Sequence, residues 1–137
     1  MAGMTTLEVS TRQRTEMVDV TDRVRKVVEG SGVRAGVAVC FVPHTTAGIT
    51  IQENADPDVT RDVLYKLAQL VPRDDAAYRH SEGNSDAHIK TSLVGTSQTV
   101  LIEDGRLVLG TWQAIYLCEF DGPRRRRLYV RCMGEGG

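Results

Sequence analysis

Pro43-His44-Thr45-Thr46-Ala47-Gly48-Ile49-Thr50-Ile51-Gln52-Glu53-Asn54-Ala55-Asp56-Pro57 is the stretch on which the reading of this chain turns. It opens where an apolar strand pattern stops and closes where a helix begins. Before it, Gly36 to Val42 is a nearly unbroken apolar run, which reads as a strand buried on both faces. Pro43 stops that strand. Thr46 to Ile51 reads as a further strand, with Gly48 marking a bulge or a close approach of backbone to ligand. Asp56-Pro57 then starts a helix, with a capping carboxylate and a proline at the first helical position. Val59, Val63, Leu64, Leu67 and Leu70 give that helix its apolar stripe, which places it over about residues 57 to 70.

Toward the N-terminus, Leu7 to Thr11 and Thr15 to Val20 read as two short strands. Thr21 is placed to cap a helix whose valines Val24, Val27 and Val28 recur on one face, with Gly30 and Gly32 ending it. Toward the C-terminus, Arg73 to Asp86 is a long polar loop, and such loops often carry function. Ser85 offers a cap for a short helix through His88, Ile89 and Leu93. Ser97 to Glu103 is a strand, and Asp104-Gly105 suits a two-residue hairpin turn returning through Arg106 to Leu109. Thr111 to Phe120 and Arg124 to Cys132 are the last strands, followed by a tail, Gly134 to Gly137, expected to be disordered. Strands dominate and no second domain is evident across residues 1–137. The pattern predicts an α+β domain on a two-layer β arrangement with two or three helices.

Composition narrows the function. The chain has 137 residues, 41% apolar and 26% charged, with a net charge of -1. That suits one core and gives no global attraction to nucleic acid or to an anionic membrane. In the run Arg124 to Arg127, alternation sets two arginines on each strand face. Cys40, Cys118 and Cys132 are widely spaced without a C-x-x-C, so buried free thiols are expected. Neither a signal peptide nor a membrane-length apolar run is present, so a cytoplasmic protein is expected.

The chemistry sits in two polar stretches that interrupt the apolar pattern. All three histidines, His44, His80 and His88, fall in them. Three imidazoles form a set that can hold zinc with one position open to water or substrate; the competing reading is three surface or hydrogen-bonded histidines. Glu53 shares the face of Ile49 and Ile51 if alternation persists, which would desolvate it and suit it to acid–base work. Asn54 is a candidate to orient it, or a turn residue. Thr45 and Thr46 offer hydroxyls to an anionic substrate or simply suit a strand, Lys90 a charge for phosphate or for solvent, and Trp112 a pocket wall or a packing residue. Asp86 is a candidate to set a histidine tautomer, or a first-turn helix acid. Glu119, on the face of Leu117 and Ile115, needs a partner from a neighbouring subunit or a metal.

Taken together, Pro43-His44-Thr45-Thr46-Ala47, Glu53-Asn54-Ala55-Asp56-Pro57, Tyr78-Arg79-His80, Ala87-His88-Ile89-Lys90, Leu109-Gly110-Thr111-Trp112-Gln113 and Glu119-Phe120-Asp121-Gly122-Pro123-Arg124 resemble the YjbQ family, also called secondary thiamine-phosphate synthases. The resemblance runs over nearly the whole chain. It implies a β-sandwich-like domain with helices on one side, assembled as a homotrimer. The activity it implies joins hydroxymethylpyrimidine diphosphate to thiazole phosphate and releases pyrophosphate. His44, His80, His88 and Glu53 are then the natural site residues, with zinc the expected ion ahead of magnesium. Two other classes compete: a metal- or ligand-binding protein without turnover, and a metal-dependent hydrolase with incidental synthase activity.

Overall fold

The computed structural model describes residues 3–135. The chain runs β1 (Met4–Ser10), β2 (Glu16–Asp19), α1 (Thr21–Ser31), β3 (Gly36–Phe41), β4 (Ala47–Glu53), α2 (Pro57–Leu70), α3 (Ser85–Val94), β5 (Ser97–Glu103), β6 (Arg106–Leu107), β7 (Gln113–Glu119) and β8 (Arg125–Gly134). This is an α+β fold of curled antiparallel sheet with three helices. The strands pair in the orders β1-β8-β3-β5-β6 and β2-β7-β4. Val9, Ala38, Cys40, Leu128 and Val130 from the first group meet Ile49, Ile115 and Leu117 from the second in one core.

All three helices lie where the sequence placed them along the chain, and two of them share one side. Leu64 and Leu67 of α2, with Ala87 and Val94 of α3, pack on Ala114, Tyr116, Cys118 and Phe120, which face away from the main core. The first helix does not join them: Val24 and Val28 of α1 belong to the main core. Thr21 does not cap α1 either. It is the first helical residue, and its hydroxyl donates to Asp19 Oδ1 at 2.6 Å while accepting the Ile115 N–H at 2.8 Å. The hydroxyl therefore ties the helix start to β7, which outweighs a local cap. Gly30 lies inside α1, and Gly32 ends it with a φ of 76°.

The strand buried on both faces is β7, not β3. Every residue from Ala114 to Glu119 is buried, because the core covers one face and α2 and α3 cover the other. In β3, Ala38 and Cys40 point inward, but Val37 and Val39 are only half-buried and Phe41 is 42% exposed. Among the described residues no helix packs on the outer face of the five-stranded sheet: α1 joins the main core, and α2 and α3 cover β7. Gly48 does mark a close approach, but to backbone: a Cβ there would lie 2.5 Å from the Gly95 carbonyl oxygen, which accepts the Ile49 N–H. Asp56 caps α2 by accepting the Asp58 N–H at 2.9 Å, with Pro57 at the first helical position as expected. Asp104 and Gly105 both take positive φ in the hairpin, and the return strand is only two residues long. Gly134 closes β8 opposite Gly36 instead of starting a free tail, and residues 136–137 lie outside the described residues.

Candidate functional site

His44 sits in the turn between β3 and β4, at the end of the sheet where β8 begins. Its Nε2 accepts the backbone N–H of Arg127 at 2.9 Å. Burial lowers its pKa, and the charge of Arg126 lowers it further against the pull of Glu119. The ring is therefore held neutral. Thr45 beside it is exposed, while Thr46 is buried and committed: its Oγ1 accepts from Arg126 Nη2 at 2.9 Å.

Behind this turn lies a buried ion pair that fixes the local frame. Glu119 takes Arg126 Nε at 2.8 Å, Arg126 Nη2, the Thr11 hydroxyl at 2.8 Å and the Asp121 N–H at 2.9 Å. Burial pushes the Glu119 carboxyl up, but these donors prevail and hold it below the ordinary range. The partner that Glu119 requires thus comes from the same chain, from the arginine that alternation turns inward with Leu128 and Val130.

The other two histidines belong to the second polar stretch. His88 lies in α3 and His80 in the loop before it, with ring centroids 5.3 Å apart and planes at 89°. His80 Nε2 is 3.9 Å from Glu82 Oε2. A cleft of about 390 Å3 is lined by His44, Thr45, His88, Thr91 and Thr96. An adjoining one of about 450 Å3 is lined by Tyr78, Arg79, His80 and His88. His88 is common to both, so one continuous surface carries all three imidazoles. A larger cavity, of about 510 Å3, lies between β1 and α1, but no histidine or carboxylate lines it. Chemistry, not volume, marks the histidine surface as the candidate site.

The three imidazoles line one surface but do not converge on one point. No group of three or more His, Cys, Asp or Glu side chains among the described residues is placed to hold an ion. The Nε2 lone pair of His44 is already engaged by the Arg127 amide. A three-histidine metal centre therefore does not fit this chain taken by itself.

Asp86 does not orient a histidine. It is fully buried and accepts from Arg14 Nη1 and Nη2, at 3.0 and 2.9 Å, and from Lys90 Nζ at 2.9 Å. Burial pushes its carboxyl up, yet the two cations outweigh that and bring it down to about 2. Lys90 is itself buried in this pair and is not presented to solvent. The thiols of Cys40 and Cys118 are buried and pushed up to about 12 by desolvation, so neither is a ready nucleophile.

Glu53, Asn54 and Trp112 are brought together, but elsewhere. Ala47 stands opposite Glu119 in the β4–β7 pair, and Glu53 opposite Gln113 at the far end. Those ends are about 20 Å apart at the usual strand rise. There the Asn54 N–H bonds the Trp112 carbonyl at 3.1 Å, and the Glu53 carbonyl accepts the Tyr116 hydroxyl at 3.0 Å. Trp112 is 61% exposed, so it fills no core in this chain. Reading by residue type missed Arg126, Arg127, Arg14 and Thr91. Only Arg126 carried a sequence signal, its parity with Leu128 and Val130.

The fold and the cleft define a class: a small α+β protein with a histidine-lined surface at one end of its central strand pair. The chain belongs to the family described as UPF0047 protein YjbQ-like, which it matches over residues 5–135. It is 52% identical over 129 residues to the UPF0047 protein YugU of Bacillus subtilis, covering 94% of this chain and 98% of that one. A UPF0047 protein of Methanocaldococcus jannaschii is 53% identical over 128 residues, covering 93% and 92%. A crystal structure of a YjbQ/UPF0047 family protein from Clostridium acetobutylicum is similar at 53% identity and a TM-score of 0.92, covering 94% of this chain and 99% of that one. A YbjQ-like protein of unknown function from Sulfolobus solfataricus is similar in fold at 33% identity and a TM-score of 0.93, covering 98% and 99%. No helix among the described residues is long and apolar enough to cross a membrane.

Proposed function

We propose that this protein is an enzyme acting on a small phosphorylated substrate at the surface formed by His44, His80 and His88. One observation carries the reading: every histidine of the chain lines the two adjoining clefts that meet at His88. Scattered surface histidines would not share one wall. The reaction offered by the family resemblance is thiamine-phosphate synthesis. The thiazole nitrogen forms a C–N bond to the pyrimidine methylene, the C–O bond to diphosphate breaks, and its electron pair leaves on pyrophosphate. Imidazole and hydroxyl donors along the cleft suit that step, because donors of this kind stabilise oxygens on which negative charge grows. Any divalent ion, zinc ahead of magnesium, would rest on His80 and His88 with further ligands from outside the chain; no step above depends on it.

A homotrimer belongs to the same reading. The helix-free face of the five-stranded sheet supports it: Phe41 stands opposite Tyr129, and Val37 lies between Met133 and Leu101. Phe41, Leu101 and Met133 are all exposed on this face, and exposed large apolar residues interspersed with charged ones such as Arg131 suit an interaction surface. Assembly would also give the distant end a task, by bringing Glu53, Asn54 and Trp112 of one subunit toward the histidines of the next. The direct test is to incubate the purified protein with the pyrimidine diphosphate and thiazole phosphate. Pyrophosphate release that disappears in His88→Ala supports the reading, and no release from the unaltered protein overturns the synthase assignment.

A further inference from the structure

The cavity of about 510 Å3 between α1 and β1 has no part in the histidine surface, and its floor and rim differ in character. One wall is a single face of α1: Arg23, Lys26, Val27, Gly30 and Ser31 recur at the spacing of neighbours on one side of a helix. Leu7 of β1 and Cys132 of β8 line the cavity from the sheet. Leu7 and Val27 also pack on the main core, and Cys132 belongs to it, so the floor is apolar. The rim is cationic. Arg23 spans the gap, donating from Nη1 to the Glu8 carbonyl at 3.2 Å, and keeps its charge. Lys26 is exposed and has no hydrogen bond or ion pair among the described residues. No carboxylate lines the cavity to offset either charge, and Asp22 on the same helix is paired with Arg25 at 2.9 Å.

Gly30 is an independent sign of a ligand. It lies inside α1, where glycine is a poor helix former. Its φ is not positive, and a Cβ there would meet nothing within 4 Å. Neither the backbone conformation nor a close neighbour requires a glycine. Its missing side chain leaves this wall of the cavity open.

We propose that the cavity is a binding site for an amphipathic anion, a carboxylate carrying an unbranched apolar tail. The tail lies on Leu7, Val27 and Cys132, and the charges of Arg23 and Lys26 hold the head group. The volume falls in the range of small-molecule sites. The floor favours a tail, because each buried methylene is removed from water. The unopposed cations set the sign of the head group. No imidazole or carboxylate is at hand for acid–base chemistry, so the site binds its ligand without turning it over.

The test is calorimetric titration of the full chain with decanoate and with decylamine at neutral pH, with amide NMR to place the bound molecule. Decanoate should bind, and its shifts should centre on α1 and β1, around Val27 and Leu7. Decylamine should bind about tenfold more weakly or worse, because its charge has the wrong sign. Lys26→Gln should weaken decanoate by about threefold to fivefold, the effect of one exposed ion pair, and leave the melting temperature unchanged. Gly30→Leu should abolish decanoate binding while the melting temperature holds or rises, because leucine is the better helix former. Gly30→Ala, a smaller intrusion, should weaken binding less, and it decides the matter if the leucine variant fails to fold. No decanoate uptake, equal affinity for decylamine, shifts centred on the histidine clefts, or full affinity in a folded Gly30→Leu would each overturn the site. The first of these is also the result expected if a second copy of the chain already fills the cavity.

Discussion

The two ends of β4 are built in opposite ways. At the Ala47 end, the turn carrying His44 is held by the Arg127 amide, and Thr46 is bonded to an arginine that is itself locked to buried Glu119. At the Glu53 end, what holds the neighbourhood is backbone: Asn54 N–H to the Trp112 carbonyl, and Tyr116 to the Glu53 carbonyl. The side chains of Asn54 and Trp112 stand in the open. The contrast teaches where one chain is finished and where it is not. The histidine end is preorganised within the subunit, whereas the Glu53 end offers side chains with no task inside it.

That difference has measurable consequences. The largest should follow from breaking the frame at the histidine end. Arg126→Leu leaves Glu119 buried and unpaired, which should cost about 3–5 kcal/mol in urea unfolding. The same experiment on Trp112→Ala should show a loss within about 0.5 kcal/mol, as for an exposed residue without a structural partner. Equal losses at both ends would erase the contrast. Next in size, His88→Ala should lower turnover by about a hundredfold or more, the range for a lost donor to developing charge. Glu53→Gln should also lower turnover while leaving unfolding unchanged. Mixing the two variant subunits should restore part of the activity, because under the proposed assembly a site would draw each residue from a different chain. No recovery in the mixture would confine each end to its own subunit.

Acid provides a milder way to sharpen the comparison. The carboxyls of Asp86 and Glu119 are both held below their ordinary values. A depressed carboxyl contributes stability that is complete above its unfolded pKa and is lost as pH falls through the folded one. For Asp86 that window runs from the ordinary 3.8 down to about 2. Stability should therefore fall in this range, and Asp86→Asn should remove part of the slope. Smallest of all, replacing Leu101 with Glu on the helix-free face should barely change the unfolding of a subunit while reducing the assembled mass measured by light scattering.

Much of this architecture was legible from the residues. Asp56-Pro57 placed α2 because a capping carboxylate and a proline act locally. The hairpin at Asp104-Gly105 was legible for the same reason. Arg126 was half legible: its parity with Leu128 and Val130 turns it inward, but its pairing with Glu119 requires knowing that β8 crosses the end of β7. The bond from Arg127 to His44 was not legible, since it joins residues 83 apart through a backbone N–H that any residue type supplies. Apolar patterning also misplaced the doubly covered strand. The apolar run of β3 read as buried on both faces and β7 read only as a strand, and only the packing of α2 and α3 decides which strand gains a second cover.

The most direct measurement is pyrophosphate release from hydroxymethylpyrimidine diphosphate and thiazole phosphate, run side by side on the unaltered protein, His88→Ala, Glu53→Gln and the mixture of the two variants. The account predicts release by the unaltered protein, loss in each variant alone and partial recovery in the mixture. Full activity in His88→Ala would contradict it, because the surface on which the histidines meet would then have no part in the reaction.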